Sequence, residues 1–513
     1  MSDSHSPSSH RTVESAAGPR EWLGLAVLTL PTLLLAMDVT VLYLAVPHLT
    51  ADLRPTGIEQ LWIADIYGFM IAGFLITMGT VGDRVGRRRL LMFGASGFAA
   101  ASVLAAFATS PLQLILARAL LGIAGATLMP STLALISNMF RDAGQRTMAI
   151  GVWATCMSAG MAAGPIIGGV MLESFWWGSV FLLAVPIMAL LLATAPALLP
   201  EYRDADAGGI DVPSVLLSLL TILPLVFGIK KAAETGISAL PLVSILVGFV
   251  FGRAFVRRQR TLEPPLMELR LFGNPTFRAA LFILLFGLGT VGGSYLFITQ
   301  YLQLVRGLTP LTAGLWLLPP AGALILSSTL TPIIVRRTPP RFVIAAALAL
   351  ATSGYLTLAF VDAVGGLPLL IAGFVLVYAG ISPLMVLGTD LVIGTTPPER
   401  AGSAAAMSET GMEFGVATGI ALLGVVGTAV YRSEMSAAAL PNMPAAARDS
   451  LAAADAAAAD LPPILGDAVF AAARAAFTNG LNLTALVCGA TTAVLAVVTL
   501  RSLRTVADSE TSR

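Results

Sequence analysis

Apolar residues recur along this chain in runs of about twenty, separated by short polar segments rich in Arg. A helix rises about 1.5 Å per residue, so a run of roughly 20 apolar residues matches the ~30 Å hydrocarbon core of a bilayer. The runs predict membrane-crossing helices over 22–47, 58–82, 90–108, 111–138, 147–172, 177–199, 212–229, 237–255, 279–303, 311–334, 342–361, 367–395, 402–430 and 476–503, numbered below as spans 1 to 14. An even count puts both termini on one side. Basic residues concentrate in cytoplasmic loops. With the N-terminus inside, cytoplasmic segments hold 22 of the 30 Arg and Lys and external segments hold 7, with Arg118 within a span. Both termini are therefore expected in the cytoplasm.

The polar breaks also divide the chain. Residues 1–21 form a polar, Ser-rich tail without the pattern of a signal peptide. A six-helix bundle over 22–199 ends at the polar stretch Glu201 to Asp211. Two inserted helices with their flanking loops occupy 200–278, and a second six-helix bundle covers 279–503, followed by a tail over 504–513. The loop after span 2, Gly79 to Arg89, has a faded copy after span 10, Thr331 to Arg341, which lacks the Asp. Related halves of this kind place a transport site at their interface near the bilayer midplane. The external segment 431–475 is Ala-rich. It reads either as a helical hairpin, with helices over 445–459 and 464–476 broken at Leu461-Pro462-Pro463, or as a solvated spacer.

Composition narrows the class. Of 513 residues, 56% are hydrophobic and 12% charged, and mean hydropathy is +0.85. Soluble domains carry about 25% charged residues, so an ordinary cytosolic enzyme and a nucleic-acid binder are excluded. Fourteen spans leave no room for a separate soluble domain. The two cysteines, Cys156 and Cys488, sit in apolar runs, and the histidines His5, His10 and His48 form no cluster, so no metal site is expected. Neither a P-loop nor a nucleophile constellation is present. No cofactor, nucleotide or nucleic acid is expected, and without a nucleotide motif the expected energy source is a proton gradient, unless a separate partner ATPase supplies it.

Charges inside apolar spans carry the chemistry. A charge at the bilayer centre costs at least a few kcal/mol, so such residues face a cavity or a partner. Asp38 and Asp65 lie at similar depth in spans 1 and 2, roughly 10–14 Å from the outer ends at about 1.5 Å per residue. Glu409 and Glu413 are four apart on span 13 and share one helix face. Low dielectric disfavours a carboxylate's charged form, so a proton and a cation compete for it, which is the simplest antiport chemistry. Asp38, Asp65, Glu409 and Glu413 are the candidates for proton coupling and substrate binding. Asp390, nearer the cytoplasmic end, is a weaker one. A bond from Asp38 to the neighbouring Thr40 is the structural alternative. Arg118 reads as the only basic residue well inside a span, and so as a charge relay needing an acid or carbonyl partner. On span 5, Gly160, Gly164, Pro165, Gly168 and Gly169 combine close helix approach with a kink. Trp62, Tyr67, Trp153, Trp316 and Phe414 are possible aromatic contacts for an organic cation, although Trp62 also suits an interfacial belt.

Together these motifs resemble the major facilitator superfamily. Gly79, Asp83, Arg84, Gly86 and Arg87 look like its gating loop after span 2. Arg118, Gly122 and Gly125 look like its span-4 signature, and Gly160 to Gly169 like its span-5 antiporter signature. Met37-Asp38-Val39-Thr40-Val41 with Ala45-Val46-Pro47, and Trp62-Ile63-Ala64-Asp65-Ile66-Tyr67, are similar to the fourteen-span drug:proton antiporters. The run Ala404 to Thr410, the later Glu413 and the long external segment look most like quaternary ammonium efflux pumps of the QacA and LfrA type, with Ser408 where those pumps carry a first Glu. The resemblance covers nearly the whole chain. It implies an all-α integral membrane protein of the major facilitator fold with fourteen transmembrane helices in a six-two-six order. It also implies a monomer in the cell membrane, exchanging protons for lipophilic cationic small molecules by alternating access. Span 10 contains no acid between Leu317 and Val335, which by the same analogy favours monovalent over divalent cations. Asp83 is expected to pair with Arg residues and latch the cytoplasmic side. A dedicated exporter of an endogenous metabolite or antibiotic is the competing reading.

Overall fold

A computed structural model describes residues 17–201, 203, 211–235, 238–262, 265, 267, 269–396, 401–438 and 443–502. Most of both expected tails and the stretch 204–210 lie outside the described residues. Fourteen of the described helices are long and apolar enough to cross a membrane, and no strand occurs among the described residues. Spans 1 to 6 are Pro19–Leu53, Gly57–Val85, Arg87–Ala106, Pro111–Met139, Gly144–Ser174 and Ser179–Leu198. Spans 7 and 8 are Val212–Ala232 and Ala239–Thr261. Spans 9 to 14 are Pro275–Val305, Pro310–Val335, Pro340–Leu358, Leu367–Gly394, Met407–Ala437 and Pro463–Ser502.

Several starts are written in local chemistry. A side-chain acceptor followed by Pro opens spans 4, 9 and 10, at Ser110-Pro111, Asn274-Pro275 and Thr309-Pro310. The acceptor caps orphan backbone N–H groups, and Pro lacks the N–H that would otherwise go unpaired. Span 2 opens on a reciprocal capping box. The Glu59 N–H donates to Thr56 Oγ1 at 3.3 Å, and the Thr56 N–H donates to Glu59 Oε2 at 2.8 Å. Span 10 breaks at Leu317, just before Pro319 and Pro320.

Because each span reverses direction, the turn after span 2 lies at the same end of the molecule as the start of span 1, here called the near face. At the opposite, far face the two six-helix sets touch. Span 9 ends in a π-helical turn, Tyr301–Val305, where Gln303 Nε2 donates to Leu44 O at 3.0 Å. Gly169 on span 5 abuts Leu311 on span 10, where a Cβ would come within 2.6 Å of the Leu311 Cα. The segment after span 13 folds over this face. A 3-10 turn at Ala445–Arg448 and a helix at Leu451–Ala459 are tied back by Tyr431 Oη to Ala447 O and by Arg432 to Asp449. A single helix over 445–459 was expected, and the structure gives a turn and a shorter helix. The expected helix at 464–476 is not separate either. It is the first third of a continuous 40-residue span 14. No Pro interrupts it after Pro463, and Arg474 is accommodated by the Leu304 carbonyl at 3.2 Å and the Phe470 ring at 4.2 Å.

Spans 7 and 8 pair with each other, and span 7 packs on spans 2 and 13. Phe69, Val226, Ala417 and Ala421 form a separate buried cluster there, flanked by Trp62, Ile222, Leu223 and Phe414. The inserted pair thus lies along the seam between the six-helix sets.

Candidate functional site

Arg118 is almost wholly buried, with 1% of its side chain exposed. Its Nη1 donates to Asp38 Oδ2 at 2.9 Å and its Nε to the Ile63 carbonyl at 3.2 Å. The guanidinium lies 4.7 Å above the Tyr67 ring. Asp38 is therefore held from span 4 rather than by Thr40, whose hydroxyl donates to Met37 O. Gly122 makes this possible by bringing span 4 against span 2, where a Cβ would stand 2.7 Å from Met70 Cβ.

Asp65 is equally enclosed, and its partner corrects the sequence reading. Lys230 on span 7 donates to Asp65 Oδ2 at 2.6 Å, and neither side chain has any exposure. The ammonium sits 3.9 Å from the Trp62 ring centroid. Arg118 is thus not the only basic residue inside a span. Apolarity ends at Ile229, which places Lys230 in a loop, yet the helix continues to Thr235. Helical side chains tilt toward the helix N-terminus. For span 7 that direction leads away from the far face, so Lys230 reaches into the protein instead of out to water.

Glu409 and Glu413 are half-buried and have no basic side chain within ion-pair distance among the described residues. Gly68 brings span 2 against this stretch of span 13, and a Cβ there would meet Ala417 Cβ at 3.1 Å and Glu413 O at 3.8 Å. Tyr67 and Tyr43 lie within the electrostatic field of Glu413. The four predicted acids thus gather around one seam, and they divide into two that hold cations and two that do not. Asp390 is exposed near the near-face end of span 12.

An apolar cavity of about 980 Å³, mouth included, lies between the six-helix sets. Thr40 and Tyr43, Met161 and Pro165, Tyr295 and Tyr378 line it from spans 1, 5, 9 and 12. Its aromatics form a ladder, with ring centroids 5.1 Å apart for Tyr43 and Tyr295, 5.9 Å for Tyr295 and Phe374, and 4.4 Å for Phe374 and Tyr378. Of the five predicted aromatics, Trp62 and Tyr67 face resident cations, and Phe414 lines a second cavity beside spans 7 and 8. Trp153 donates to Thr132 Oγ1 at 3.3 Å, and Trp316 is 40% exposed. Tyr43 and Phe374 were not singled out from sequence, because nothing local distinguishes an inward aromatic from a packing one.

The motif glycines have particular neighbours. A Cβ on Gly160 would strike the Leu33 carbonyl, one on Gly164 would strike Thr40 Oγ1, and one on Gly168 would meet Val41 Cγ1 at 2.8 Å. Span 5 therefore lies directly on the turns of span 1 that carry Asp38. Across the far face, Gly314 packs on the carbonyl of Pro165. At the near face, Arg87 Nε donates to Asp83 Oδ1 at 2.8 Å, one turn along the chain. Arg84 is exposed, and Gly79 faces open space. Gly86 has φ +116° and abuts the Glu201 carboxylate. Glu201, absent from the sequence candidates, accepts the Arg88 N–H at 3.1 Å at the start of span 3, with Arg88 and Arg89 at 3.5 and 3.8 Å.

Residues 28–420 match the family model described as the Major Facilitator Superfamily. The chain is 43% identical over 470 residues to the "Multidrug efflux pump LfrA" of Mycolicibacterium smegmatis, covering 91% of this chain and 93% of the relative. It is 34% identical over 470 residues to the "Methyl viologen resistance protein SmvA" of Salmonella typhimurium, covering 89% and 93%. Among solved structures, a bacterial homolog of the human lysosomal transporter Spinster in an inward-facing, unoccupied conformation superposes with a TM-score of 0.65. That match has 16% identity and covers 95% of this chain and 99% of the other, a likeness of fold.

Proposed function

Because the chain belongs to the Major Facilitator Superfamily, we propose that it is a proton-coupled exporter of lipophilic monovalent cations, such as quaternary ammonium compounds and dyes, working as a monomer by alternating access. It is a multi-pass transporter of the cell membrane, not an enzyme, and its relatives are multidrug efflux and resistance transporters.

The distribution of charge carries the proposal. Asp38 and Asp65 each hold a built-in cation, whereas Glu409 and Glu413 face the seam without one among the described residues. An uncompensated acid in an apolar setting takes either a proton or a cation. The aromatic ladder of the neighbouring cavity supplies faces that attract an organic cation by its charge and its apolar surface at once. We place the near face in the cytoplasm, in keeping with the excess of Arg there. The contacts across the far face then correspond to an inward-facing state. Arg88 and Arg89 tie the turn after span 2 to Glu201, so that turn moves with the first six spans as one body.

Inside-out vesicles carrying an imposed proton gradient and a quenched pH dye test this reading. Ethidium or tetraphenylphosphonium should trigger proton release in the wild type and not in Glu413→Gln or Asp38→Asn. Absence of a response to any lipophilic cation by the inserted, folded wild type would overturn it and return the search to a dedicated exporter of a single compound.

A further inference from the structure

Span 7 brings an ammonium group to the seam, and the transport cycle outlined above leaves it without a task. We propose that Lys230 is a resident stand-in for the transported cation: its ammonium fills a box made by the Asp65 carboxylate and the Trp62 ring, and either a proton on Asp65 or a monovalent organic cation takes its place during the cycle. The inference rests on the cation-export reading for its substrate arm, while its proton arm stands without it.

The geometry is that of a cation-binding site already filled. A carboxylate at 2.6 Å and an indole face at 3.9 Å are the two features that recognise an organic ammonium, and both groups of the ion pair are wholly buried. A fully buried ion pair contributes little to stability compared with apolar residues of the same volume, so stability alone does not account for it. The two resident cations also differ in how firmly they are fixed. Arg118 is held by a carboxylate, a backbone carbonyl and a ring along a rigid fork. Lys230 is a compact charge on a four-carbon stem and can swing away. A helical side chain tilts toward the preceding turn, here that of Val226, whose buried cluster is flanked by Trp62 and Ile222, and Ile222 lines the second cavity, about 1070 Å³ with its mouth. Asp65 Oδ1 is buried and receives no hydrogen bond, which leaves an oxygen for an incoming proton. Span 7 supplies Lys230 to this acid, span 4 supplies Arg118 to Asp38 of span 1 with the Tyr67 ring beneath it, and Gly68, three residues after Asp65, packs near the Glu413 carbonyl of span 13. Spans 7 and 8 thereby become part of the coupling machinery rather than an insertion beside it.

The chain has only two lysines, Lys230 and Lys231, so lysine labelled with ¹³C at Cε gives two resonances, assigned with Lys231→Arg. In full-length protein in nanodiscs, Asp65→Asn mimics the protonated acid and should move the Lys230 resonance. Saturating tetraphenylphosphonium should move it in the wild type. Lys230→Met leaves only the proton and the drug to compete for Asp65. It should bind tetraphenylphosphonium about tenfold more tightly at high pH, equivalent to roughly 1.4 kcal/mol, and the advantage should shrink as pH falls. Lys230→Arg should bind no more tightly than the wild type. If the probe binds and Lys230 does not move, the stand-in role falls and the export reading survives. If no variant binds the probe but Asp65→Asn moves Lys230, the cation-export reading falls and the proton arm stands. If Asp65→Asn leaves Lys230 in place, the proton arm falls. Should Lys230→Met fail to fold, the double variant Lys230→Met/Asp65→Asn removes both charges and should lack the tenfold gain in binding at high pH, and a gain that persists without Asp65 would overturn the stand-in role.

Discussion

Arg118→Met would strand Asp38, whose side chain is 11% exposed and whose only basic partner within ion-pair distance among the described residues is Arg118. Removing one member of a buried pair destabilises by about 3–5 kcal/mol, because an uncompensated charge remains. Polar groups of an unfolded membrane protein also find partners, which lowers such values, so about 3 kcal/mol is expected here. The double variant Arg118→Met/Asp38→Asn removes both charges. It still loses the bond from Arg118 Nε to Ile63 O and the contact with Tyr67. Those losses are common to both variants and cancel in the comparison. The double variant should therefore unfold later than Arg118→Met, recovering about 2 kcal/mol. Reversible unfolding in mixed micelles at rising SDS measures this, and neither variant should transport. A double variant as unstable as the single one, or less stable, would refute an ion pair as what holds Arg118 and Asp38 together.

Gly164→Leu drives a side chain into Thr40 Oγ1 and within 3.1 Å of the Met37 carbonyl at its Cβ alone; overpacking costs about 1–3 kcal/mol, and transport should fail with a matching drop in melting temperature. Gly86→Ala meets both φ +116° and the Glu201 carboxylate, so a loss of about 1–3 kcal/mol is expected, and Gly86→Ala/Glu201→Ala should regain only the part due to collision. Burial alone would raise Asp211, but bonds from Arg258 and Ser214 outweigh it and hold the carboxyl below its ordinary value. An acid depressed in the folded state adds stability above its unfolded value and loses it as pH falls through the folded one. The melting temperature of wild type should therefore exceed that of Asp211→Asn at pH 7, with the gap closing below about pH 4.

The fourteen spans were legible because lipid demands long apolar runs whatever the sequence otherwise does. Asp38, Asp65, Glu409 and Glu413 were legible for the same reason, as exceptions to that rule. Lys230 was not, since hydropathy marks the end of an apolar run and not the end of a helix, and the Lys230-Lys231-Ala232 sequence carries on helically past that point. Span 14 was cut short for the mirror-image reason. Asp467 and Arg474 break the apolar run without breaking the helix. Pairing is a tertiary property. That Asp38 meets Arg118 across two spans, or that Glu201 lies against Gly86, follows from helix packing and leaves no local trace.

On the cation-export reading, charge on the two sides of the seam sets which cations suit the site. Asp38 with Arg118 and Asp65 with Lys230 each sum to zero. Glu409 and Glu413 lie one turn apart on one face of span 13, and like charges that close repel more strongly in low dielectric. On that reading one proton shared between them leaves a single negative charge for one monovalent cation. A dication needs another acid, and span 10 offers none between Leu317 and Val335. Ala321 lies on that stretch, is half-buried and lines the cavity across from Tyr43. Ala321→Asp should therefore raise methyl viologen transport several-fold relative to tetraphenylphosphonium, since an added unit charge a few ångströms from the ligand contributes on the order of 1 kcal/mol or more. Paired uptake assays in everted vesicles read the ratio directly. If wild type already moves both probes equally well, net charge at the seam is not what selects the substrate, and shape and apolar area in the aromatic cavity must do so instead.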